Sequence, residues 1–316
     1  MAARYGPKQG WNMESGRKAR AGLAVFLPAL IIGSALLEYG IPPLRNRFSA
    51  HFVLIYMWWV AASSILARLV RRESFRDLSF CWGGRAGTRA VLVGAVFPVV
   101  VGFTAYGISW QTGLTQFSPS GIPPVLFGVT LAGSSFARFL KFLLLSLTAG
   151  SLWACKSAAG EELGWRGYML RRLIDSRFPA PVFMSGLIWA LWHLPLIFCG
   201  QYPSVPHTLL SVCVFLADII SAGYVLAWLR LSSGSIWPCV WAHAVWNAVI
   251  LGPFDGSTVS SGVWLGEAGI LSTAVVILFA AALHVLWPLS PRKYLSPPLS
   301  GSSNTLSWPA GPPTVL

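Results

Sequence analysis

GEELGWRGYML, residues 160–170, places two glutamates and one arginine inside a long apolar stretch of the chain. An ionisable side chain at membrane depth costs a few kcal/mol or more, so such residues usually face a cavity and pair with one another. The fold and the meaning of Glu161, Glu162 and Arg166 therefore depend on whether this stretch lies within a membrane.

The composition of the chain is that of a membrane protein. Of its 316 residues, 55% are hydrophobic and only 10% are charged, and the mean hydropathy is +0.63. These values lie far outside the range of soluble domains. The net charge of +13 does not indicate nucleic acid, because the Lys and Arg residues sit between apolar runs. We predict the lipid bilayer as a partner, and no nucleic acid.

Eight apolar windows are long enough to cross a bilayer core, which needs about 20 helical residues. They predict an all-α polytopic membrane protein of about eight transmembrane helices, and a membrane domain over residues 21–286 with its polar motifs in 160–247. Residues 1–20 and 287–316 are expected to be cytoplasmic tails, the second disordered because it is rich in Pro, Ser and Gly. The windows lie near residues 21–40, 50–69, 89–108, 139–170, 181–199, 207–229, 235–252 and 266–286.

The distribution of Lys and Arg predicts the orientation in the membrane. With the N-terminus inside, nineteen of the 23 basic residues fall on the inner side and four on the outer side. Cytoplasmic loops retain such residues, so we predict a multi-pass cell-membrane protein with both termini cytoplasmic. The nearly uncharged outer loop, 109–135, could lie on the membrane surface or dip into it.

Three polar groups within the windows are predicted to lie at one depth. They are EELGWR (161–166), WALWH (189–193) and HAVWN (243–247). At 1.5 Å per residue, Glu161, His193 and His243 lie about 15, 18 and 12 Å from the inner ends of their helices. Side chains that share a layer can meet in one site.

The spacing within the first group separates its two carboxylates. Glu162 and Arg166 are four residues apart and can pair on one helix face. Glu161 points about 100° away and can meet another helix. A structural ion pair is the alternative for Glu162 and Arg166. No role is assigned to Lys156, which by the same count lies deeper than Glu161, or to the buried acid Asp218.

The other two groups place histidines beside aromatic and amide side chains. His243 and Asn247 are four residues apart, so both face one side of their helix, while Trp189 lies one turn before His193. A histidine that only hydrogen-bonds a neighbouring helix is the alternative for each group taken alone.

The order of these motifs, EExxxR, aromatic-xxxH and HxxxN on successive spans, resembles the CPBP family of intramembrane proteases. That family includes the CAAX prenyl endopeptidases and the bacteriocin-processing (Abi) proteins, and EELGWRGYML is especially similar to its first motif. The resemblance covers about residues 140–251. It implies a CAAX-type intramembrane endopeptidase that hydrolyses a peptide or protein substrate in or at the membrane.

The resemblance also implies a role for each matching residue. Glu161 and His193 would activate a water molecule, and His243 and Asn247 would stabilise the oxyanion. Trp189 stands where the family usually has Phe, which is expected to change the bulk near the histidine. The residues expected to shape the site without direct chemistry are Trp189, Glu162 and Arg166.

Alternative functions stay open at this point. A zinc-dependent protease would use Glu161, His193 and His243 as ligands, but HExxH is absent and we favour catalysis without a metal or other cofactor. A non-catalytic membrane immunity or scaffold protein would keep the fold and lose a motif residue, whereas all the polar positions are present here. The identity of the substrate, and whether it is prenylated, do not follow from the sequence.

Overall fold

The computed structural model describes residues 13–40, 49–200, 205, 208–259, 262–267 and 269–289. Within these residues the chain forms a bundle of eight helices, which confirms the predicted all-α fold. Six of these helices are long and apolar enough to cross a membrane by length and composition. The chain is therefore a multi-pass membrane protein.

Three of the helices contain π turns. Helix α3 passes through a π turn at Gly102–Tyr106, α4 through two, at Ser146–Gly150 and Trp165–Met169, and α7 ends in one at Ile250–Phe254. The bounds are α1 Met13–Tyr39, α2 Ser49–Arg71, α3 Gly84–Thr112, α4 Ser135–Asp175, α5 Pro181–Phe198, α6 Leu209–Ser233, α7 Trp237–Val249 with its π turn, and α8 Ile270–Leu286.

Most helices extend beyond their predicted windows, α1 by the largest amount at one end and α4 to the greatest total length. Helix α1 begins at Met13, inside the predicted tail, where Lys18 Nζ lies 2.6 Å from Glu14 Oε1 one turn earlier. Such a pair supports a helix that hydropathy does not indicate. Helix α4 has 41 residues, which is about 61 Å of helix and longer than a bilayer core. Most of the predicted disordered tail, from 290 onward, lies outside the described residues.

Glycines let α4 approach α2 closely just where the first polar motif begins. A Cβ on Gly160 would lie 2.9 Å from Trp58 Cα, and one on Gly164 would lie 2.6 Å from the Val60 carbonyl oxygen. Small residues four apart are the usual device for close helix packing in membranes. A larger side chain at either position would push α2 away from the motif.

The π turn Trp165–Met169 directly follows the two motif glutamates. A π turn breaks the regular i to i−4 hydrogen-bond ladder, and such turns are frequent at functional sites. Side chains of other helices reach its carbonyl groups. Arg230 Nε of α6 donates to the Arg166 carbonyl at 3.4 Å, and Arg68 Nη2 of α2 donates to the Gly167 carbonyl at 3.3 Å.

A network that we call the loop ion-pair cluster joins the α2–α3 connection to α2, α4 and α6. Arg68 Nη1 lies 2.6 Å from Asp77 Oδ1, and Arg172 contacts Glu73 Oε2 at 2.7 Å and Asp77 Oδ2 at 2.9 Å. Arg230 Nη2 donates to the Asp77 carbonyl at 2.8 Å. The cluster is formed by Arg68, Glu73, Asp77, Arg172 and Arg230, and it holds the π turn of α4 in place.

The loop at 109–135, whose conformation the sequence left open, is folded against the end of the bundle. Its strand β1, Gln116–Phe117, pairs antiparallel with β4, Thr258–Val259, beyond α7. Within the loop, β2 (Val125–Leu126) and β3 (Val129–Thr130) form a small hairpin. The loop therefore ties the α3–α4 connection to the α7–α8 connection.

Candidate active site

The structure brings the four proposed catalytic residues to one cavity. Glu161 of α4, His193 of α5, and His243 and Asn247 of α7 line a space of about 260 Å³. The first three are buried, with 1%, 6% and 7% of their surface exposed. The three helices thus converge at the layer that the sequence predicted.

Two tryptophans hold one oxygen of Glu161. Its Oε2 accepts hydrogen bonds from Trp189 Nε1 at 2.7 Å and from Trp165 Nε1 at 3.2 Å. The sequence analysis expected Trp189 to affect the site through bulk near His193. The structure adds a direct contact with Glu161, because an indole N–H is a donor that the phenyl ring of Phe lacks.

The second glutamate joins α4 to α7 through a single oxygen. Glu162 Oε1 lies 2.9 Å from Arg166 Nη1, as the spacing of four residues predicted, and also 2.9 Å from His243 Nδ1. A carboxylate oxygen accepts hydrogen bonds, so His243 donates from Nδ1. The Arg166 guanidinium also lies over the Trp189 ring, 4.3 Å from its centroid. Glu162 and Arg166 thus orient both the histidine and the tryptophan.

The orientation of His193 follows from its contact with the backbone of its own helix. His193 Nδ1 lies 2.9 Å from the Trp189 carbonyl oxygen. A carbonyl can only accept, so Nδ1 carries the hydrogen and, in the neutral ring, Nε2 carries the lone pair. Edge contacts with Trp192 and Phe215, at centroid distances of 5.0 and 5.5 Å, fix the ring plane.

A gap separates the remaining oxygen of Glu161 from His243. Glu161 Oε1 and His243 Nε2 are 4.0 Å apart, which is too long for a hydrogen bond. A separation of this size suits one bridging oxygen atom, from water or from a substrate carbonyl. The site can therefore place a small oxygen between a carboxylate and an imidazole, with the Asn247 side chain also on the cavity wall.

Two further acids on the cavity wall had no predicted role. Asp218 of α6 and Glu267, just before α8, both line the cavity and are buried. Glu267 Oε1 accepts from Trp246 Nε1 at 2.9 Å. Glu267 could have been proposed as a site residue from the sequence, because it is an acid at the start of the predicted window 266–286.

Lys156 lies away from this cavity. Its side chain is exposed, and Nζ sits 3.1 Å from the centroid of the Trp153 ring. The helix period places it on a different face of α4 from Glu161. It takes no part in the candidate site.

The proposed zinc ligands were tested against the geometry. Across the described part of the chain, no three or more His, Cys, Asp or Glu side chains form a group that could hold a metal ion. We derive no step through zinc.

Comparison with known proteins identifies the region that carries the motifs. Residues 139–249 match the family model described as Type II CAAX prenyl endopeptidase Rce1-like. CAAX prenyl protease 2 of Methanococcus maripaludis is 34% identical over 107 residues, which are 32% of this chain and 36% of that protein. The matched part is about a third of each chain. The resemblance to the CPBP family is confirmed over this region, which contains all three motifs.

Proposed function

We propose that this chain, whose residues 139–249 match the Rce1-like CAAX prenyl endopeptidase family, is an intramembrane endopeptidase that hydrolyses a peptide bond of a membrane-associated or lipidated protein. The observation that carries the proposal is the convergence of Glu161, His193, His243 and Asn247 on one buried cavity. Ionisable and polar side chains inside a membrane segment cost free energy, so residues of this kind usually face a cavity and have a function. Helix packing alone does not account for four of them at one cavity.

The proposed base is Glu161. Its Oε2 is held by two indole N–H groups, which aims Oε1 at the gap of 4.0 Å facing His243. A water molecule in this gap would give its proton to Glu161 as its oxygen attacks the scissile carbonyl carbon, and Glu161 would then return the proton to the leaving amine. His193 orients the water through Nε2, whose lone pair follows from the donation by Nδ1.

The proposed oxyanion donors are His243 and Asn247. Nδ1 of His243 already donates to Glu162, so donation from Nε2 requires the doubly protonated ring. The Glu162 carboxylate at 2.9 Å balances that charge. The Asn247 amide supplies a second, neutral donor one helical turn further along α7. Donors placed for a charge that exists only in the transition state raise turnover.

The proposed substrate class follows from the family and from the cavity wall. The relative carries the name CAAX prenyl protease 2, and a prenylated C-terminal segment would suit the aromatic and aliphatic wall of this cavity. We propose catalysis without a metal, since the chain lacks the HExxH motif. The competing proposal, a non-catalytic immunity or scaffold protein, gains no support from a motif that is complete.

The decisive experiment replaces Glu161. Purified full-length protein in lipid nanodiscs is incubated with membrane-associated peptides, prenylated and unprenylated, and the products are identified by mass spectrometry. Glu161→Gln keeps the shape of the side chain but cannot take a proton, and loss of a general base lowers the rate by about 10²- to 10⁴-fold. Glu14→Gln, the same change at an exposed carboxylate of α1, should keep full activity.

Two results would refute the proposal. Hydrolysis by Glu161→Gln within a few fold of the parent would reject Glu161 as the base. Stoichiometric zinc in active protein, with activity lost to a chelator and restored by zinc, would replace the metal-free mechanism. Comparative proteomics of membranes with and without Glu161→Ala would then identify the natural substrates.

The orientation proposed from the Lys and Arg distribution has its own test. Both termini and the connection at residues 72–83 should face the cytoplasm. Single cysteines at Ser74 and Ser118 report the two sides, because both side chains belong to connections outside the helices. Impermeant thiol reagents should label the Ser118→Cys variant on intact cells and spare Ser74→Cys, and the reverse pattern would invert the topology.

A further inference from the structure

The cavity has an acidic end that the proposed chemistry does not use. Asp218 and Glu267, which we call the acidic pair, come from α6 and from the connection before α8, whereas the catalytic groups come from α4, α5 and α7. Both carboxylates line the same space as Glu161. A substrate bound at Glu161 therefore has the acidic pair within the same enclosure.

Asp218 is buried without a charged partner. None of its surface is exposed, and neither Oδ1 nor Oδ2 has a partner in strict hydrogen-bond geometry among the described residues. The Thr273 hydroxyl on α8, itself buried, interacts with Asp218 from outside that geometry and is neutral. A buried carboxylate with no counter-charge is strongly destabilising. Such a group on a cavity wall can take its counter-charge from a ligand.

The charge of the wall indicates the nature of that ligand. Three carboxylates line the cavity, those of Glu161, Asp218 and Glu267, and no Lys or Arg is found among its described lining residues. Arg166, the cation of the first motif, already pairs with Glu162. The lining therefore offers three acidic groups and no cationic Lys or Arg side chain to pair with them.

Aromatic side chains beside the acidic pair suit a cation as well. Trp246 donates its indole N–H to Glu267 and stacks on Phe97 at a centroid distance of 5.4 Å, and both rings line the cavity. The faces of such rings attract ammonium and guanidinium groups. Carboxylates and ring faces together are a common combination for binding an organic cation.

We infer that the acidic pair is a substrate subsite for a cation, either a lysine or arginine side chain near the scissile bond or the free amino group of a peptide. This inference rests on the proposed function. It narrows the proposed substrate class, because the substrate must carry a positive charge in addition to being attached to the membrane. Asp218 is the main contact because it has no charged partner among the described residues, and Glu267, held by Trp246, adds the second carboxylate.

The test compares peptides that differ in a single charge. A membrane-anchored peptide cleaved by the nanodisc protein is made with Lys, Arg, norleucine or Glu at each position on both sides of the cleaved bond, and in free and acetylated N-terminal forms. Norleucine keeps the methylenes of lysine without the ammonium. Hydrogen bonds to charged groups imply a preference for the cationic peptide of about 10- to 100-fold in kcat/KM at one position.

Variants of the acidic pair should remove this preference. In Asp218→Asn and in Glu267→Gln, the ratio of Lys to norleucine kcat/KM should fall towards one, with Asp218→Asn causing the larger drop. Asp175→Asn, the same change in a partly exposed ion pair with Arg171, should keep the parental ratio. If Asp218→Asn does not fold, the subsite is still tested by the ratio of Lys to norleucine kcat/KM in the parent protein and by the change of that ratio in Glu267→Gln.

Equilibrium binding separates this inference from the proposed function. Fluorescence anisotropy with Glu161→Gln protein measures peptide affinity without any turnover. Tighter binding of the Lys peptide than of its norleucine form, lost in the Asp218→Asn double variant, supports the subsite even if no hydrolysis is found. Equal binding and equal cleavage of cationic and neutral peptides overturn the subsite and leave the protease proposal standing. A preference for Glu would overturn it as well.

Discussion

The loop ion-pair cluster and the cavity are two polar regions that both involve helix α4. In the cluster, every one of the three arginines contacts a carboxylate or a backbone carbonyl. In the cavity, three carboxylates line a common space with no Lys or Arg among the described lining residues, and Asp218 has no charged partner.

This difference separates a structural role from a chemical one. Groups that satisfy one another inside the protein have little left to offer a ligand, and removing one of them leaves an uncompensated buried charge. Groups that remain unsatisfied at the wall of a cavity can bind a substrate or stabilise a transition state. We therefore expect substitutions in the cavity to change turnover and substitutions in the cluster to change stability.

After Glu161→Gln, the largest expected effect is on turnover, at Asn247. Removing one oxyanion donor typically costs about 2.7 to 4 kcal/mol, or 10²- to 10³-fold in kcat. Asn247→Ala should therefore lower kcat by about that factor with little change in KM, as measured by steady-state peptide hydrolysis. Asn247→Asp should be at least as damaging, because a carboxylate would repel the developing negative charge.

The control for this substitution is Gln111→Ala, which removes an exposed amide at the end of α3. It should leave both kinetic constants unchanged. A raised KM with an intact kcat in Asn247→Ala would make Asn247 a binding or packing residue. The oxyanion role would then fall to His243 alone.

The next effect is on stability, at Arg68 in the loop ion-pair cluster. Its side chain is fully buried and lies 2.6 Å from Asp77. Arg68→Met should lower the free energy of unfolding by about 3 kcal/mol, the low end for one partner of a buried pair, because Asp77 keeps Arg172. Unfolding in mixed detergent micelles measures this change.

Arg71→Met, on the exposed end of the same helix, is the matched control and should change stability by less than about 1 kcal/mol. The kcat of folded Arg68→Met protein should stay within a few fold of the parent. A large loss of kcat without a loss of stability would contradict the division between the two regions.

The smallest expected effect sharpens the comparison at Trp189, which touches both Glu161 and Arg166. Trp189→Phe removes the hydrogen bond of 2.7 Å to Glu161 while Trp165 keeps its own. The expected result is a drop in kcat of about tenfold, the low end for a hydrogen bond to a charged group. The control is Trp153→Phe, at an exposed site on α4, which should have no effect on kcat. An unchanged kcat in Trp189→Phe would mean that Trp189 contributes to the site only through packing.

Much of the architecture could be predicted because it depends on local properties of the chain. Apolar windows of about 20 residues indicate helices that cross a membrane, whatever their neighbours. The period of the helix placed Glu162 and Arg166 on one face, and their salt bridge of 2.9 Å confirms it. Counting residues from the helix ends also predicted that the three motifs share one layer.

Helix ends and the outer loop were less predictable. Hydropathy does not predict the Lys18–Glu14 salt bridge in the first turns of α1, which begins at Met13. It also does not predict the strand pairing between the loop at 109–135 and Thr258–Val259. Both depend on hydrogen bonds and charges between polar groups, to which a window average of apolar residues is blind.

The sequence by itself determined a helical membrane bundle, the pairing of Glu162 with Arg166 and the family that its motifs resemble. Only the tertiary structure decided that Trp189 donates to Glu161, that Glu162 rather than Glu161 holds His243 at hydrogen-bond distance, and that Asp218 and Glu267 reach the cavity. The physical reason is that hydropathy and helical period act along one helix. Which side chains of separate helices meet depends on helix rotation and crossing, and these are set by close packing such as that of α2 on α4.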